Sequence, residues 1–185
     1  MTTSENSTGA PASQTPPHYL DVHALVRPDK TALICQERSL TYAELNTRAR
    51  RIANMLSRLG VQAGDRVAVM AHNSIELLEV AAGLSKLSAI GVLLNYRLRE
   101  QEVAYILNDS QSRVAIAAPE LVSVVDQARG EVPGEVVYIA IGDEARAGWL
   151  NYEALLAEAS TEIPLGEGRL GSGMTYTSGT TGKPK

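Results

Sequence analysis

Short apolar runs that alternate with helical patterns constrain the fold of this chain more than any other feature. The predicted strands are residues 31–35, 39–40, 66–70, 89–94, 114–117, 136–141 and 174–176. Between most of them, apolar residues recur at steps of three and four, which is the spacing of one helix face. The predicted helices are residues 18–27, 41–59, 74–88, 99–108, 119–130 and 152–159. Helices on both faces of a parallel sheet leave its strands continuously apolar, so the sequence predicts an α/β fold of alternating strands and helices with a mostly parallel sheet.

The best-defined helix of the sequence begins after Thr41. Thr41 and Glu44 have the spacing of a capping box, and Gly60 supplies a residue that can end the helix in the left-handed conformation. Between them runs one apolar stripe, formed by Leu45, Ala49, Ile52, Leu56 and Leu59. The outer side carries four arginines and is predicted to be solvated: Arg48, Arg50, Arg51 and Arg58.

Composition excludes several classes of function. The chain has 17 Lys and Arg against 21 Asp and Glu, a net charge of −4, which argues against a nucleic-acid surface. Its single cysteine excludes an intramolecular disulfide. Residues 1–17 are rich in Ser, Thr and Pro and contain no basic side chain, unlike signal or transit peptides. We expect a disordered tail over 1–17, a domain over 18–185, no membrane span and a cytoplasmic location.

Residues 177–185, which read TSGTTGKPK, carry the chemistry of the chain. Glycines let backbone N–H groups turn towards an anion, while hydroxyl and ammonium groups add further donors. The segment therefore predicts a phosphate cradle formed by Thr177, Ser178, Gly179, Thr180, Thr181, Gly182, Lys183 and Lys185. A Walker loop is excluded, because Thr177 stands where it needs glycine and Pro184 where it needs Ser or Thr. A flexible Gly/Ser/Thr linker remains the alternative at this point.

Residues 176–185, YTSGTTGKPK, resemble the phosphate-binding signature of the adenylate-forming (AMP-binding) enzymes, which include acyl-CoA synthetases, luciferases and peptide-synthetase adenylation domains. Further segments follow the order of that family: LTYAELN at 40–46, GVQAGDRVA at 60–68, HNSIE at 72–76 and NYRL at 95–98. The resemblance covers residues 19–185. Within the family, the NYRL segment and the Thr180–Thr181 pair are similar to the acyl-CoA synthetase branch.

The resemblance implies an ATP-dependent reaction. In such enzymes a carboxylate attacks the α-phosphate of ATP to give an acyl-adenylate and pyrophosphate, and the thiol of coenzyme A then displaces AMP. Donors around the β- and γ-phosphates, together with Mg²⁺, stabilise the charge on the departing pyrophosphate. The resemblance assigns this role to the cradle residues named above, and it implies a fatty or other hydrophobic carboxylic acid as substrate.

Family members are much longer, so the resemblance implies that this chain is a truncated N-terminal portion of the synthetase fold. The Mg²⁺-placing acidic residue, the catalytic lysine and most of the acyl pocket would lie downstream, and no catalytic residue or metal ligand is assigned within the chain. We expect the isolated chain to be inactive. Two alternatives stay open: a non-catalytic interaction piece, and another adenylate-forming enzyme such as a peptide-synthetase adenylation domain.

Overall fold

The computed structural model of the protein describes residues 17–142, 146–164 and 173–177. The helices within these ranges are α1 (Tyr19–Val26), α2 (Tyr42–Arg58), α3 (Ile75–Leu87), α4 (Glu100–Ser110), α5 (Val122–Arg129) and α6 (Tyr152–Glu158). The strands are β1 (Thr31–Cys35), β2 (Arg38–Thr41), β3 (Arg66–Met70), β4 (Ile90–Leu94), β5 (Val114–Ala117), β6 (Val137–Ala140), β7 (Leu150–Asn151) and β8 (Gly173–Thr175). A 3₁₀ turn at Pro119–Leu121 precedes α5. Apart from Pro17, the predicted tail lies outside the described residues.

Six of the strands form one sheet in the order β7-β6-β5-β3-β4-β8, and every neighbouring pair in it is parallel. β1 and β2 form a separate antiparallel hairpin. The prediction of an α/β fold with a mostly parallel sheet is therefore confirmed. β7 escaped prediction because it has two residues and no periodicity of its own.

Both faces of the sheet are covered by helices. The chain runs from β3 to its neighbour β4, then crosses back over β3 to reach β5. Because right-handed crossovers in opposite directions place their helices on opposite faces, α3 and α4 lie on different sides. Val67 and Val69 point into the core beneath α2, α3 and α6, whereas Ala68 and Met70 point into the core beneath α4 and α5. This two-sided burial explains the continuous apolar runs of the sequence.

The capping box at the start of α2 is present as predicted. Thr41 Oγ1 accepts a hydrogen bond from Glu44 N at 3.2 Å, and Glu44 Oε2 accepts one from Thr41 N at 2.8 Å. Gly60 follows the helix with φ of +86°. On the buried side, Gly83 of α3 lies so close to α2 that an added Cβ would sit 2.4 Å from Ile52 Cγ2. Glycine at this position is therefore what allows α2 and α3 to pack together.

The prediction of a solvated arginine face on α2 is confirmed for Arg58, which is exposed, but it is wrong for the other three arginines, which are partly buried. Arg48 is paired with Glu79 of α3 and Glu153 of α6, and Arg50 with Asp21 of α1. Towards the end of α2, three side chains donate to main-chain carbonyls at the end of α6 and in the segment that follows it: Arg51 to Leu156, Arg58 to Glu158, and Asn54 to Ser160 and Glu162. The polar side of α2 is thus an interface that holds α6 and its continuation.

Within the described ranges, none of the helices has both the length and the apolar character needed to cross a membrane.

Candidate functional site

The carboxyl ends of the parallel strands form one edge of the sheet, and the loops that leave it carry the polar motifs of the chain. The loop after β3 leads to α3 on one face, whereas the loop after the neighbouring β5 leads to the 3₁₀ turn and α5 on the other face. Two adjacent loops that diverge in this way open a crevice, which is where open α/β sheets bind their ligands. This edge is the candidate site.

Two motifs that are separate in sequence meet at this edge. The ring of His72, after β3, lies 4.2 Å from the ring of Tyr96, after β4, and the guanidinium of Arg97 lies 5.4 Å from the same ring. Across the crevice, His72 Nε2 is 3.7 Å from Glu120 Oε1, and both side chains are about half exposed. The loops after β3, β4 and β5 are therefore joined by a contiguous, solvent-accessible polar and aromatic surface.

Asn95 fixes the turn that presents Tyr96 and Arg97. Its Oδ1 accepts a hydrogen bond from Arg97 N at 3.0 Å, and its carbonyl accepts one from Leu98 N at 3.0 Å. Asn is suited to this position because its short side chain can bond to the backbone two residues on. The NYRL segment is thus a rigid turn at the carboxyl end of β4.

An open groove of about 500 Å³ lies at the same edge, between β4, α4 and the end of β8. Its walls are mainly apolar and include Leu77, Leu94, Leu98 and Ile106. The polar residues Asn73, Asn95 and Glu102 also line it, and Tyr176 and Thr177 lie at one end. Binding sites for small organic molecules commonly combine apolar walls with a few polar groups. The groove could hold an apolar substituent next to the segment that starts at Thr177.

The structure describes one of the predicted phosphate-binding residues. Thr177 is exposed, two residues after β8, at the carboxyl edge of the sheet. The other seven lie outside the described residues: Ser178, Gly179, Thr180, Thr181, Gly182, Lys183 and Lys185. Their role remains a prediction, and what the described part adds is the position at which their segment begins.

Sequence reasoning missed the contact that holds this beginning. Tyr176 Oη donates a 2.6 Å hydrogen bond to Asp109 Oδ2 in the last turn of α4. Partial burial and the adjacent Asp109 carboxylate raise the pKa of Tyr176 above its ordinary value. Sequence analysis treated Tyr176 as part of a strand, whereas β8 ends at Thr175. The sequence did offer one signal for this contact. Asp109 is an acidic residue at a helix C-terminus, a position that disfavours negative charge, so its carboxylate could be expected to have a partner elsewhere.

Two ionic clusters stabilise the helices behind the site. The side chain of Glu79 is completely buried in an ion pair with Arg48, and Tyr152 Oη donates to Glu79 Oε2 at 3.4 Å. Burial raises the pKa of Glu79, and the charge of Arg48 opposes this rise. These contacts tie α2, α3 and α6 together. Neither Glu79 nor its partners were identified from the sequence as buried polar residues.

The second cluster joins α1 to α2 and α3. Asp21 accepts hydrogen bonds from Lys86 Nζ at 2.8 Å and from Arg50 Nη2 at 2.7 Å. Burial alone would raise the pKa of Asp21, but these two partners outweigh it and hold the pKa at about 2. His18 caps α1 and lies 3.1 Å from Ser85 Oγ; its burial, and then the charge of Lys86, lower its pKa to about 4.

The comparisons with known proteins agree with the motifs. The family model described as AMP-binding enzyme matches residues 20–185. The long-chain-fatty-acid–CoA ligase of Thermus thermophilus is 39% identical over 145 residues, which cover 78% of this chain and 27% of that protein. The indoleacetate–CoA ligase of Aromatoleum aromaticum is 35% identical over 171 residues, which cover 90% of this chain and 33% of that protein.

A solved structure gives the same answer for the fold. The anthranilate CoA ligase AuaEII, in complex with anthranoyl-AMP, superposes with a TM-score of 0.83 at 31% identity over 90% of this chain and 32% of that chain. This chain therefore spans about a third of the length of the proteins it matches. Because the family model covers nearly the whole sequence, the chain belongs to the family of AMP-binding enzymes.

Proposed function

We propose that this chain supplies the N-terminal part of an AMP-forming acid–CoA ligase. In the proposed reaction a carboxylate oxygen attacks the α-phosphate of ATP, the bond to the pyrophosphate breaks, and the acyl group of the resulting acyl-adenylate then passes to the thiol of coenzyme A with release of AMP. The supporting observation is that the family match runs through residues 177–185, and that the first of them, Thr177, lies at the carboxyl edge of the sheet. The relatives named above are themselves CoA ligases.

The proposed role of the segment is to stabilise the charge that develops on the departing pyrophosphate. Hydroxyl, backbone N–H and ammonium donors suit a polyphosphate, since all of them donate to anionic oxygens. The proposed phosphate-binding residues are Thr177, Ser178, Gly179, Thr180, Thr181, Gly182, Lys183 and Lys185. The segment contains no side-chain carboxylate, and Mg²⁺ bound to the phosphates would further neutralise their charge.

The proposed acid substrate is a fatty or other hydrophobic carboxylic acid. The mainly apolar walls of the carboxyl-edge groove support this class, because contact with them would remove apolar surface of the acid from water. Relatives named for long-chain fatty acids and for indoleacetate point the same way. ATP and coenzyme A would be the other substrates, and we place the reaction in the cytoplasm.

The test is acid-dependent exchange of pyrophosphate into ATP by a complete ligase that carries this chain as its N-terminal part. Lys183→Ala and the double variant Thr180→Ala, Thr181→Ala should each slow exchange by about 100-fold, since removal of one preorganised donor commonly has an effect of this size. Lys30→Ala, which removes an exposed lysine before β1, serves as the matched control and should keep the full rate. Exchange at an undiminished rate in both cradle variants would refute the proposed role of the segment.

A further inference from the structure

The strand that leads into the predicted phosphate loop is weakly held by itself. β8 has three residues, all of them exposed, and its pairing with β4 covers Gly173 to Thr175. So short a strand forms few backbone hydrogen bonds, and side-chain contacts must therefore contribute to holding the residue that follows it. That residue is Tyr176, which immediately precedes Thr177.

Tyr176 is anchored in two ways. Its ring packs against the apolar core beneath α4 and α5, and its hydroxyl donates to Asp109 Oδ2 at 2.6 Å. This distance is typical of a hydrogen bond from a hydroxyl to a charged carboxylate, which is stronger than one between neutral groups. The two residues are 67 positions apart in sequence, so the bond joins the start of the loop to a different crossover of the sheet.

The position of Asp109 argues that the bond serves the loop more than helix α4. Asp109 lies in the last turn of α4, which contains no basic residue. A negative charge there interacts unfavourably with the partial negative charge of the helix C-terminus. Asp109 therefore does not stabilise α4 electrostatically, and the hydroxyl of Tyr176 is the partner that the structure gives its carboxylate.

We propose that Tyr176 and Asp109 are positioning residues that orient the phosphate-binding segment for ATP. The proposal rests on the proposed function of that segment. The bond fixes the backbone immediately before Thr177. The donors that follow are thereby preorganised to bind the β- and γ-phosphates. Displacement of catalytic donors by about 1 Å can reduce rates by about 100-fold, so an anchor at the base of the loop can affect the reaction strongly.

The experiment uses the complete ligase and the pyrophosphate exchange assay. Tyr176→Phe removes the hydroxyl and keeps the ring; we expect the KM for ATP to rise about 10- to 100-fold, the loss typical of one hydrogen bond to a charged group, while the KM for the acid stays constant. Asp109→Ala should have the same effect, and Asp109→Asn, whose amide oxygen can still accept, should restore most of the affinity. Tyr105→Phe is the matched control, because Tyr105 packs against the same core.

Two further measurements separate positioning from stability. In the double variant Tyr176→Phe, Asp109→Ala the rise in KM should equal that of either single variant, because both remove one bond. The melting temperature of Asp109→Ala should be unchanged or higher, since an unfavourable charge leaves the helix end. An unchanged KM for ATP in Tyr176→Phe, or additive effects in the double variant, would overturn the positioning role. Absence of acid-dependent exchange in the unmodified ligase would instead refute the proposed function.

Discussion

Removal of Arg48 should destabilise the fold, because it leaves the buried carboxylate of Glu79 without its cationic partner. Arg48 is the cationic partner of Glu79, whose side chain is completely inaccessible, while that of Arg48 is 26% exposed. When one partner of such a pair is removed, the other remains as an uncompensated buried charge, and the loss is commonly about 3–5 kcal/mol. We therefore expect Arg48→Ala to lower the free energy of unfolding of this chain by about that amount at pH 8.

The pH dependence of this loss identifies its cause. Burial raises the pKa of Glu79, and removal of Arg48 takes away the charge that opposes the rise. A carboxyl whose pKa is higher in the folded than in the unfolded state destabilises the fold above the folded pKa. This penalty falls as the pH approaches the unfolded value of about 4.3, because the folded state takes up the proton first. The loss caused by Arg48→Ala should accordingly shrink between pH 8 and pH 5.

Urea unfolding of the unmodified chain and of Arg48→Ala at pH 5 and pH 8 measures the loss of stability and its pH dependence. The double variant Arg48→Ala, Glu79→Gln is the control, since a neutral amide at the buried position should recover part of the loss and show little pH dependence. Glu153→Gln removes the outer partner of Arg48, whose side chain is 41% exposed, and should lower stability by less than about 1 kcal/mol. A loss below about 1 kcal/mol for Arg48→Ala, or an equal loss at both pH values, would refute this reasoning.

Three other outcomes follow from the structure. Gly83→Ala should lower the free energy of unfolding by about 1–3 kcal/mol, because the new Cβ would overlap Ile52. Ala82→Gly, at the neighbouring position, should not produce this steric effect. An unchanged free energy of unfolding in Gly83→Ala would contradict the close packing of α2 and α3. His18→Asn should reduce the loss of stability on acidification, because the pKa of His18 is lowered to about 4 in the folded state, so that between about pH 6.5 and pH 4 the unfolded chain binds a proton that the folded state does not; identical urea midpoints for both proteins across this range would argue otherwise. Calorimetry with MgATP and the isolated chain should show weak or no binding, since the ordering of nine loop residues, about 9–18 kcal/mol, offsets about 8–15 kcal/mol from five charge-assisted hydrogen bonds; tight binding would contradict this balance.

The sequence predicted those elements whose signals are local. The strand bounds of β1, β3 and β5 match the prediction, because each is an apolar run flanked by polar or turn residues. The capping box before α2 is also a local pattern, since its residues are three apart. β7, by contrast, gains its pairing from β6 and carries no pattern of its own.

Helix α3 shows where periodicity fails. Its apolar Leu78 is 50% exposed, whereas its charged residues Glu79 and Lys86 are buried. These charges are tolerated because Arg48 and Asp21 meet them from other helices. A periodicity argument ranks residues by their own polarity, and it cannot foresee burial that depends on a partner tens of residues away.

The candidate site shows the same difference between local signals and contacts of distant residues. The proposed phosphate-binding segment is contiguous, so the residue types that match a polyphosphate could be recognised from the sequence alone. Its setting is assembled from distant parts: His72, Tyr96 and Glu120 come from three successive loops, and Asp109 meets Tyr176 from the end of α4. None of these contacts has a fixed spacing, because each depends on the crossing of the chain over β3 that brings β4 and β5 to either side. The proposed recognition of phosphate thus depends on nine consecutive residues, whereas the proposed orientation of the phosphate relative to an acid depends on residues from the whole carboxyl edge. Variants within the segment should therefore change affinity for ATP directly, and variants at Asp109 should change it only while Tyr176 is present to transmit the effect.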